Sequence, residues 1–600
     1  MTTSALLLID LQEDYLARPG LVPTRETLIA NVAAALAEAR AAAEPIFHIR
    51  TDGVPMPHRS TAPDATPPPE LSEHPGEPVF AKRFFSAFDA HGLDEALHAA
   101  GITRLRLTGL HTHACLQATA LDAYAKGYEV EIDEGLIASD SPDHAAYALA
   151  WIGRRAARIV NRDPEVEWLH RDPCNQDRCL AEIAVADADE VRKIIGQVSD
   201  LPPLQERQQR LRCWHDKLAA DRDRWVEMLI TFIAKPRADA EAEVSYGLAL
   251  LDHVTSTLEV EPADNVDTVA YRPVGRVGLI TPWNNPFAIP IGKLAPAIAF
   301  GNQVLWKPAL YGATIATMLR TSLANVGLGD GVALITGGSA TGRAMIDRGD
   351  LDLLSFTGSV PVGRAIIASA GHRVLPVQAE LGGSNAAIVD RSADLGRAAA
   401  DLASAMFSFS GQRCTAIRRV IVMADVATAF TDRLAAEVAA LKLGDPADPA
   451  TRIGPVIDRA AQNRFLKLSG ASAPADQQPE GCWVVPTLLH DLADDHPLLA
   501  DEVFGPLAAI QVARDLSHAI ALHNATEFGL LGAIHTADPA SEARFVAEAQ
   551  AGMLSINRAR PPFSAAGPFV GWKNSGFGPP EHGRWNSDTY TRPQAIYRVD

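Results

Sequence analysis

Short apolar runs alternate with helical stretches from the first residues of this chain, and few folds accommodate that rhythm. Ala5–Ile9, Pro45–Ile49, Arg104–Thr108 and Tyr128–Ile132 read as strands; Glu26–Ala43, Gly92–Ala100 and Ala114–Lys126 read as helices. The expectation is an α/β unit, a mostly parallel sheet flanked by helices. A proline-rich stretch between Pro55 and Pro69 interrupts it as a loop. Between Asn161 and Cys179 the pattern dissolves into charged, proline-containing sequence; long helices then run to about Leu258, and a second α/β region begins at Thr268. At 600 residues the chain exceeds one hydrophobic core. One domain is therefore expected over residues 1–172, a linker over 173–182 and a second domain over 183–600.

A formal charge of −19 with no basic stripe argues against a nucleic-acid partner. The opening apolar run ends at Asp10, follows no basic region, and reads as a buried strand rather than a leader. No apolar stretch approaches the ~18 residues that cross a bilayer, so no membrane partner is expected and the expected location is the cytoplasm. Six cysteines make no disulfide framework for a chain of this length, and each is weighed alone. Cys174 and Cys179 share a polar segment with no second pair downstream, which is not the pattern of a metal site; Cys213 and Cys482 read as packing residues. Cys115 and Cys414 differ, because their neighbours suit a reactive thiolate.

In Phe409-Ser-Gly-Gln-Arg-Cys414, Gly411 leaves the backbone room to present the sulfur to a ligand. The adjacent Arg413 is a cation of the kind that favours a thiolate, although the segment alone equally describes a buried, inert thiol. Glu380-Leu-Gly-Gly-Ser-Asn385 places an acid at a strand end beside an approachable backbone, which suits a general base for water. Leu279-Ile-Thr-Pro-Trp-Asn284 ends a strand in a turn that carries an amide donor, suited to a developing oxyanion. Asn302-Gln-Val-Leu-Trp-Lys307 puts a cation at another strand end. The segment Leu353–Gly363 reads as strand, glycine turn and helix start, a ready anion site.

In this order, and with Glu502-Val-Phe504-Gly-Pro506, Asn557 and the segment Pro568–Gly576, these motifs closely resemble the aldehyde dehydrogenase superfamily over about residues 183–600. The resemblance implies a Rossmann-like cofactor domain (183–262 and 273–382), a catalytic α/β domain (383–583) and oligomerisation strands (263–272 and 584–600) that build a dimer or tetramer. It implies oxidation of an aldehyde to an acid with NAD or NADP. Cys414 would be the nucleophile, the Asn284 side chain and Cys414 amide would hold the oxyanion, and Glu380 would activate the water that releases the thioester. The implied cofactor contacts are Thr281, Pro282, Trp283, Lys307, Phe356, Gly358, Ser359, Leu381, Glu502 and Phe504. There are departures. Leu310 stands where an acid usually meets the adenine ribose, which leaves NAD against NADP open, and Ile417 stands where glycine is frequent. The strands that commonly open such enzymes are not legible. Asn285 and Gly292 replace bulky aromatics, from which a roomier or more polar channel is expected. Arg413, Arg558 and Arg560 are either carboxylate-binding groups or solvated arginines.

In the first third, the strand Leu6–Ile9 runs into Asp10, Lys82 lies in aromatic company (Phe80, Phe84, Phe85, Phe88), and Cys115 follows a strand and a glycine turn at a helix start. A helix start is expected to lower a thiol pKa. An acid, a cation and a thiol on three strand ends resemble the isochorismatase-like cysteine hydrolases over residues 1 to about 170. By that resemblance Asp10 would be general base, Cys115 nucleophile and Lys82 the orienting cation, cleaving an amide or carbamoyl C–N bond. Backbone amides at His113, Ala114 and Cys115 are candidates for the oxyanion hole. The metal set of nicotinamidase-type relatives would fall on Asp52, His58 and His74, whose spacing departs from the pattern, so no metal is expected. His111 and His113 either touch substrate or face solvent.

Together these readings describe a bifunctional enzyme acting on small molecules. The hydrolase would release ammonia or a carbamoyl group and the dehydrogenase would oxidise the linked aldehyde, as consecutive steps in the breakdown of a small nitrogen compound. The alternatives are a dehydrogenase with a catalytically idle docking domain, a CoA-acylating dehydrogenase and a cofactor-binding regulator.

Overall fold

The computed structural model describes residues 3–18, 20–51, 66–153, 155–160, 167–257, 269–470, 474, 477, 479–490, 492–493, 496–500 and 502–597. It divides into two compact units, Met1–Glu165 and Val166–Asp600.

In the first unit, β1 (Ser4–Ile9), β2 (Ile46–Thr51), β3 (Val79–Lys82), β4 (Arg104–Leu110), β5 (Glu129–Ala138) and β6 (Arg158–Val160) form one parallel sheet. Their order is β3-β2-β1-β4-β5-β6. β1 is buried on both faces, as its unbroken apolar run requires. Leu7 and Ile9 pack with Leu105, Leu107 and Ile132 on one face, and Leu6 and Leu8 with Leu28, Val32 and Leu36 on the other. The order reverses between β1 and β4, and in sheets of this kind the crevice beyond the carboxyl ends opens at that point. Two strands escaped the sequence pattern. β3 has four residues and β6 three, too short for alternation to register. Beyond β4, a single wide turn over Thr112–Leu116 carries Cys115 into helix α1 (Gln117–Ala125).

The second unit opens with an antiparallel hairpin of β7 (Glu167–Asp172) and β8 (Asn175–Ala184). It takes in the expected linker, 173–182, together with the last residues expected of the first domain, and supplies strands at the opening of the second unit that are not legible in the sequence. The sequence hid it because a partly exposed, charged ribbon has no apolar alternation. Tertiary contacts hold it: Cys482 N donates to Pro173 O and Gln176 N to Glu480 O, both at 2.9 Å, and Trp168 meets Tyr311 edge-on at 4.8 Å.

Next come β9 (Arg276–Thr281), β10 (Gln303–Pro308), β11 (Val332–Leu334), β12 (Leu353–Thr357) and β13 (Val377–Glu380), parallel and ordered β11-β10-β9-β12-β13, with the short strand Gly576–Phe577 antiparallel beside β13. Helix α2 (Arg237–Thr257) packs with its neighbours on one face, and α3 (Val360–Gly371) follows β12. The second sheet of the unit contains β14 (Asn385–Val389), β15 (Ile417–Met423), β16 (Thr487–Leu489), β17 (Leu507–Ala513), β18 (Leu531–His535) and β19 (Met553–Ile556). They are parallel, ordered β16-β17-β15-β14-β18-β19, and helix α4 (Leu395–Phe407) packs on them. A separate ribbon pairs Val269–Pro273 with Thr591–Ala595 antiparallel. Among the described residues no helix is long and apolar enough to cross a membrane.

Gly109 of β4 stands opposite Ile9 of β1. Its φ is 124°, and a Cβ there would lie 1.9 Å from Ile9 O. Gly109→Ala combines a forbidden backbone conformation with a backbone clash, so a loss of about 3 kcal/mol or more is expected in the first unit. Thermal unfolding of the full chain measures it as a lowered transition temperature for that unit; an unchanged transition contradicts the packing described.

Candidate active sites

In the first unit, the three expected residues meet at the switch point. Asp10 follows β1, Lys82 ends β3, and Cys115 lies in the turn after β4. Lys82 Nζ is 2.8 Å from Asp10 Oδ2, with both side chains almost wholly buried, and 3.5 Å from Cys115 Sγ. Thr51, the last residue of β2, was not anticipated. Its hydroxyl donates to Asp10 Oδ1 at 2.8 Å and accepts from Lys82 Nζ at 3.4 Å, while Phe84 O accepts from Lys82 at 3.0 Å. The available signal was position, since Thr51 ends the strand neighbouring β1.

Burial opposes the Lys82 charge, yet Asp10 and Cys115 outweigh it and hold the ammonium above the ordinary lysine pKa. The Cys115 thiol is pushed up to about 12, first by burial and then by the Asp10 carboxylate, with Lys82 pulling the other way. The shift is thus upward, against the lowering expected from a helix start, and burial beside a carboxylate is its cause. His111 is buried beside Asp140, 3.4 Å from Nδ1, with its pKa lowered to about 4 by burial. His113 Nδ1 lies 2.7 Å from Ser139 Oγ. Neither imidazole hangs loose in solvent. The Ala114 amide donates to His111 O at 3.0 Å, which engages one of the three amides considered for an oxyanion. Asp52 and His58 lie outside the described residues, and His74 is exposed. Among the described residues no three His, Cys, Asp or Glu side chains are grouped to hold a metal.

In the second unit, Cys414 follows a turn, Ser408–Gly411, in which Phe409 and Ser410 adopt φ of 51° and 53°. Asn385 steadies the segment: its Nδ2 donates to Cys414 O at 2.7 Å and Ala416 O at 2.9 Å. Asn284 Nδ2 donates to Gln412 O at 3.1 Å, which leaves its second N–H for another acceptor. Behind it, Lys235 Nζ donates to Asn284 O at 2.6 Å and Asn285 Oδ1 at 2.9 Å, pairs with Glu243, and lies 4.4 Å from the Phe409 ring centre. Glu380 ends β13, and its Oε2 is buried with no hydrogen-bond partner among the described residues. Burial, then the Glu581 charge, hold its carboxyl well above the usual range. Lys293 pairs with Glu581 and donates to Ser355 Oγ at 2.7 Å and Gln378 Oε1 at 3.2 Å. The Cys414 thiol is pushed up to about 12 by burial, then by Glu502 and Glu380, with Arg413 opposing.

The residues considered for a cofactor lie at or just beyond the carboxyl ends of β9, β10, β12 and β13, with Glu502 and Phe504 in a separate segment. Thr281 Oγ1 accepts from Trp306 Nε1 at 3.0 Å, and Trp283 meets Phe504 edge-on at 5.9 Å. Pro282 lies between them in sequence, and Lys307 sits near the end of β10. Phe356 packs under Gly358, and Ser359 opens α3 without a side-chain cap on the first amides. Leu381 packs against Gly363, and Glu502 lies over Gly382, where a Cβ would come within 1.9 Å of its Oε2. A switch point, an uncapped helix start and a lysine together suit a dinucleotide.

Three expectations need correction. A Cβ on Gly292 would lie 2.8 Å from His582 Cε1, so His582 takes the room expected there, and Asn285 is held by Lys235. Arg558 is exposed, whereas Arg560 pairs with Asp239 at 2.6 Å and Arg413 is buried. Cys213 is exposed and does not pack, although Cys482 is buried.

Residues 160–596 match the model of the aldehyde dehydrogenase family. The chain belongs to the aldehyde dehydrogenase family. Residues 4–163 match the isochorismatase domain, so the chain is a fusion of the two. The 2,5-dioxopentanoate dehydrogenase of Saccharolobus solfataricus is 31% identical over 442 residues, 68% of this chain and 91% of that protein. The succinate-semialdehyde dehydrogenase of Paenarthrobacter nicotinovorans is 32% identical over 410 residues, 65% of this chain and 91% of that protein. Among solved structures, the NAD-dependent aldehyde dehydrogenase of Sinorhizobium meliloti superposes with a TM-score of 0.68 at 26% identity, covering 73% of this chain and 92% of that one. For an aldehyde dehydrogenase the cofactor is NAD(P), in keeping with the reversal of strand order at β9.

With a thiol pKa near 12, few Cys414 side chains are thiolates at neutral pH. Iodoacetamide labelling of Cys414 in cofactor-free protein is expected to quicken about tenfold per pH unit from pH 7 to 9 without a plateau. Glu502→Gln removes a negative charge, lowers that pKa and speeds labelling at pH 8 several-fold. Peptide mass spectrometry reads both, and a plateau below pH 9 contradicts the assignment.

Proposed function

We propose that the chain is a bifunctional enzyme: a cysteine hydrolase of amide or carbamoyl C–N bonds in its first unit, and in its second an NAD(P)-dependent dehydrogenase that converts an aldehyde to a carboxylic acid through a Cys414 thioester. One observation carries this reading. Each unit holds a cysteine in a turn with a buried carboxylate in electrostatic reach: Cys115 in the turn after β4, beside Asp10, and Cys414 in the turn before β15, with Glu380, the last residue of β13, in reach.

At Cys414, sulfur attacks the aldehyde carbon as the thiol passes its proton to the Glu380 carboxylate, which returns it to solvent before hydrolysis, and the carbonyl oxygen becomes an oxyanion within reach of the Asn284 amide and the Cys414 N–H. Lys307, Ser359 and Glu502 would hold NAD(P), which would supply the hydride acceptor that turns the adduct into a thioester. Water then adds to the thioester while Glu380 takes its proton; the C–S bond breaks and the acid leaves. A carboxyl raised by burial is a stronger base, once ionised, than a surface glutamate. In the first unit Asp10 takes the Cys115 proton, sulfur attacks the amide or carbamoyl carbon, and the nitrogen leaves protonated. Lys82 balances the charge that Asp10 and Cys115 share. Water cleaves the remaining thioester.

The two reactions are consecutive in this reading, since joining sites on one chain raises the local concentration of a shared intermediate. The names of the Saccharolobus solfataricus and Paenarthrobacter nicotinovorans dehydrogenases concern aldehydes that also bear a carboxylate, and this supports an acidic aldehyde here. The exposed ribbon of Val269–Pro273 and Thr591–Ala595 supports assembly as a dimer or tetramer through strand edges.

Ammonia release and NAD(P)H formation, followed over amide and aldehyde panels, test the reading. Cys115→Ala is expected to abolish the first and spare the second, and Cys414→Ala the reverse; both activities surviving both changes refutes it. Glu380→Gln should keep a burst of about one NAD(P)H per site while steady turnover falls at least a hundredfold, and a lost burst with unchanged turnover refutes the assigned role.

A further inference from the structure

Among the described residues, His111 is the histidine whose two ring nitrogens are both buried and without a hydrogen-bond partner. His170 and His523 each leave one buried ring nitrogen unpartnered, but the other meets Phe232 O at 2.9 Å and Asn524 Oδ1 at 3.0 Å respectively. The orphan nitrogen of His535 lies 3.2 Å from Asp401 Oδ2. An imidazole taken out of water with neither nitrogen satisfied is costly, and such a group calls for a partner.

His111 stands where a substrate would meet it. It directly follows β4, and its carbonyl accepts from Ala114 N at 3.0 Å and Leu116 N at 3.3 Å, which ties it to the turn that carries Cys115. The ring meets Tyr15 edge-on at 6.0 Å and lies 6.0 Å from the His113 ring. The charged and titratable groups that act on it are Asp140, Arg18, His113 and Asp10, the last being the acid of the site. Nδ1 lies 3.4 Å from Asp140 Oδ1, and Asp140 is itself paired with Arg18 at 3.1 Å. A carboxylate only accepts, so the ring proton belongs on Nδ1 and the lone pair on Nε2. Burial holds the imidazole pKa at about 4, which keeps the ring neutral and Nε2 an acceptor at neutral pH. The unmet need is therefore a donor at Nε2. Primary amide and carbamoyl groups carry one; an ester of the same acid does not.

We infer that Nε2 of His111 accepts a hydrogen bond from an N–H of the substrate, so that the first unit selects amide and carbamoyl compounds over esters of the same acids. Asp140 is the positioning residue that fixes the tautomer. The inference rests on the reading of Cys115 as nucleophile of a C–N hydrolase.

The full chain is assayed with propanamide, benzamide and nicotinamide and with the methyl esters of the same three acids. For His111→Phe, which keeps a ring against Tyr15, the ratio of kcat/KM for the fastest-cleaved amide to that for its ester is expected to fall by about tenfold or more, mostly through KM, because the amide then buries an unpaired N–H. His111→Gln offers a side-chain oxygen as acceptor and recovers part of that loss. An equal fall on amide and ester marks a packing role and overturns the proposal. An unmoved ratio assigns the nitrogen to a buried water and overturns it too. A second measurement needs no turnover: by calorimetry, Cys115→Ala protein should bind the amide more tightly than its ester, and adding His111→Phe should erase the difference. Equal binding before that change overturns the proposal. A chain that cleaves no amide, or that still does so with Cys115→Ala, defeats the hydrolase reading itself, whereas Cys115-dependent cleavage with an unmoved ratio defeats this inference alone.

Discussion

Lys82, Lys235 and Lys293 each bury an ammonium group against a carboxylate, Asp10, Glu243 and Glu581 respectively, and the geometry around both cysteines hangs on these pairs. Removing one partner from such a pair leaves an uncompensated buried charge and costs about 3–5 kcal/mol. The pairs also have protons to spare, and those protons position the neighbours. Lys82 reaches Thr51 and Phe84 O, Lys235 reaches Asn284 O and Asn285, and Lys293 reaches Ser355 and Gln378. An ammonium has three donors and no acceptor, so a buried lysine with one carboxylate must find further oxygens. Those oxygens are main-chain and side-chain groups of the two sites.

The same burial explains why both thiols sit high. Cys115 and Cys414 are both held near 12, although one has a lysine and the other an arginine as its opposing cation. In each case the cation is offset by nearby carboxylates, Asp10 in one site and Glu502 with Glu380 in the other. Ionisation must therefore accompany the arrival of something that accepts the proton or the charge. A carboxylate already in reach meets the first need, and an oxyanion pocket the second.

Much of this was legible before the fold was known. Asp10, Lys82, Cys115, Asn284, Glu380 and Lys307 each stand at or next to the end of an apolar run, and strand ends in parallel sheets line the crevice. Thr51 was missed because the reading stopped its strand at Ile49, two residues short. Asn385 was quoted within a motif without a role, since nothing local shows that its amide bridges Cys414 O and Ala416 O. The hairpin over residues 167–184 was missed for a different reason: its register is set by contacts with Cys482 and Glu480, some three hundred residues onward.

The sequence by itself determined that there are two α/β units, which cysteine in each carries reactive surroundings, and which acids, amides and cations belong to each set. These are properties of short segments, where apolar runs, glycine turns and strand ends are written locally. Only the tertiary structure decided the direction in which each thiol is shifted, that His582 fills the space over Gly292, and that the Nε atoms of Arg413 and Arg418 are buried with no hydrogen-bond partner among the described residues. Desolvation and Coulomb interactions depend on every group packed around a site, and those groups arrive from segments far apart in the chain.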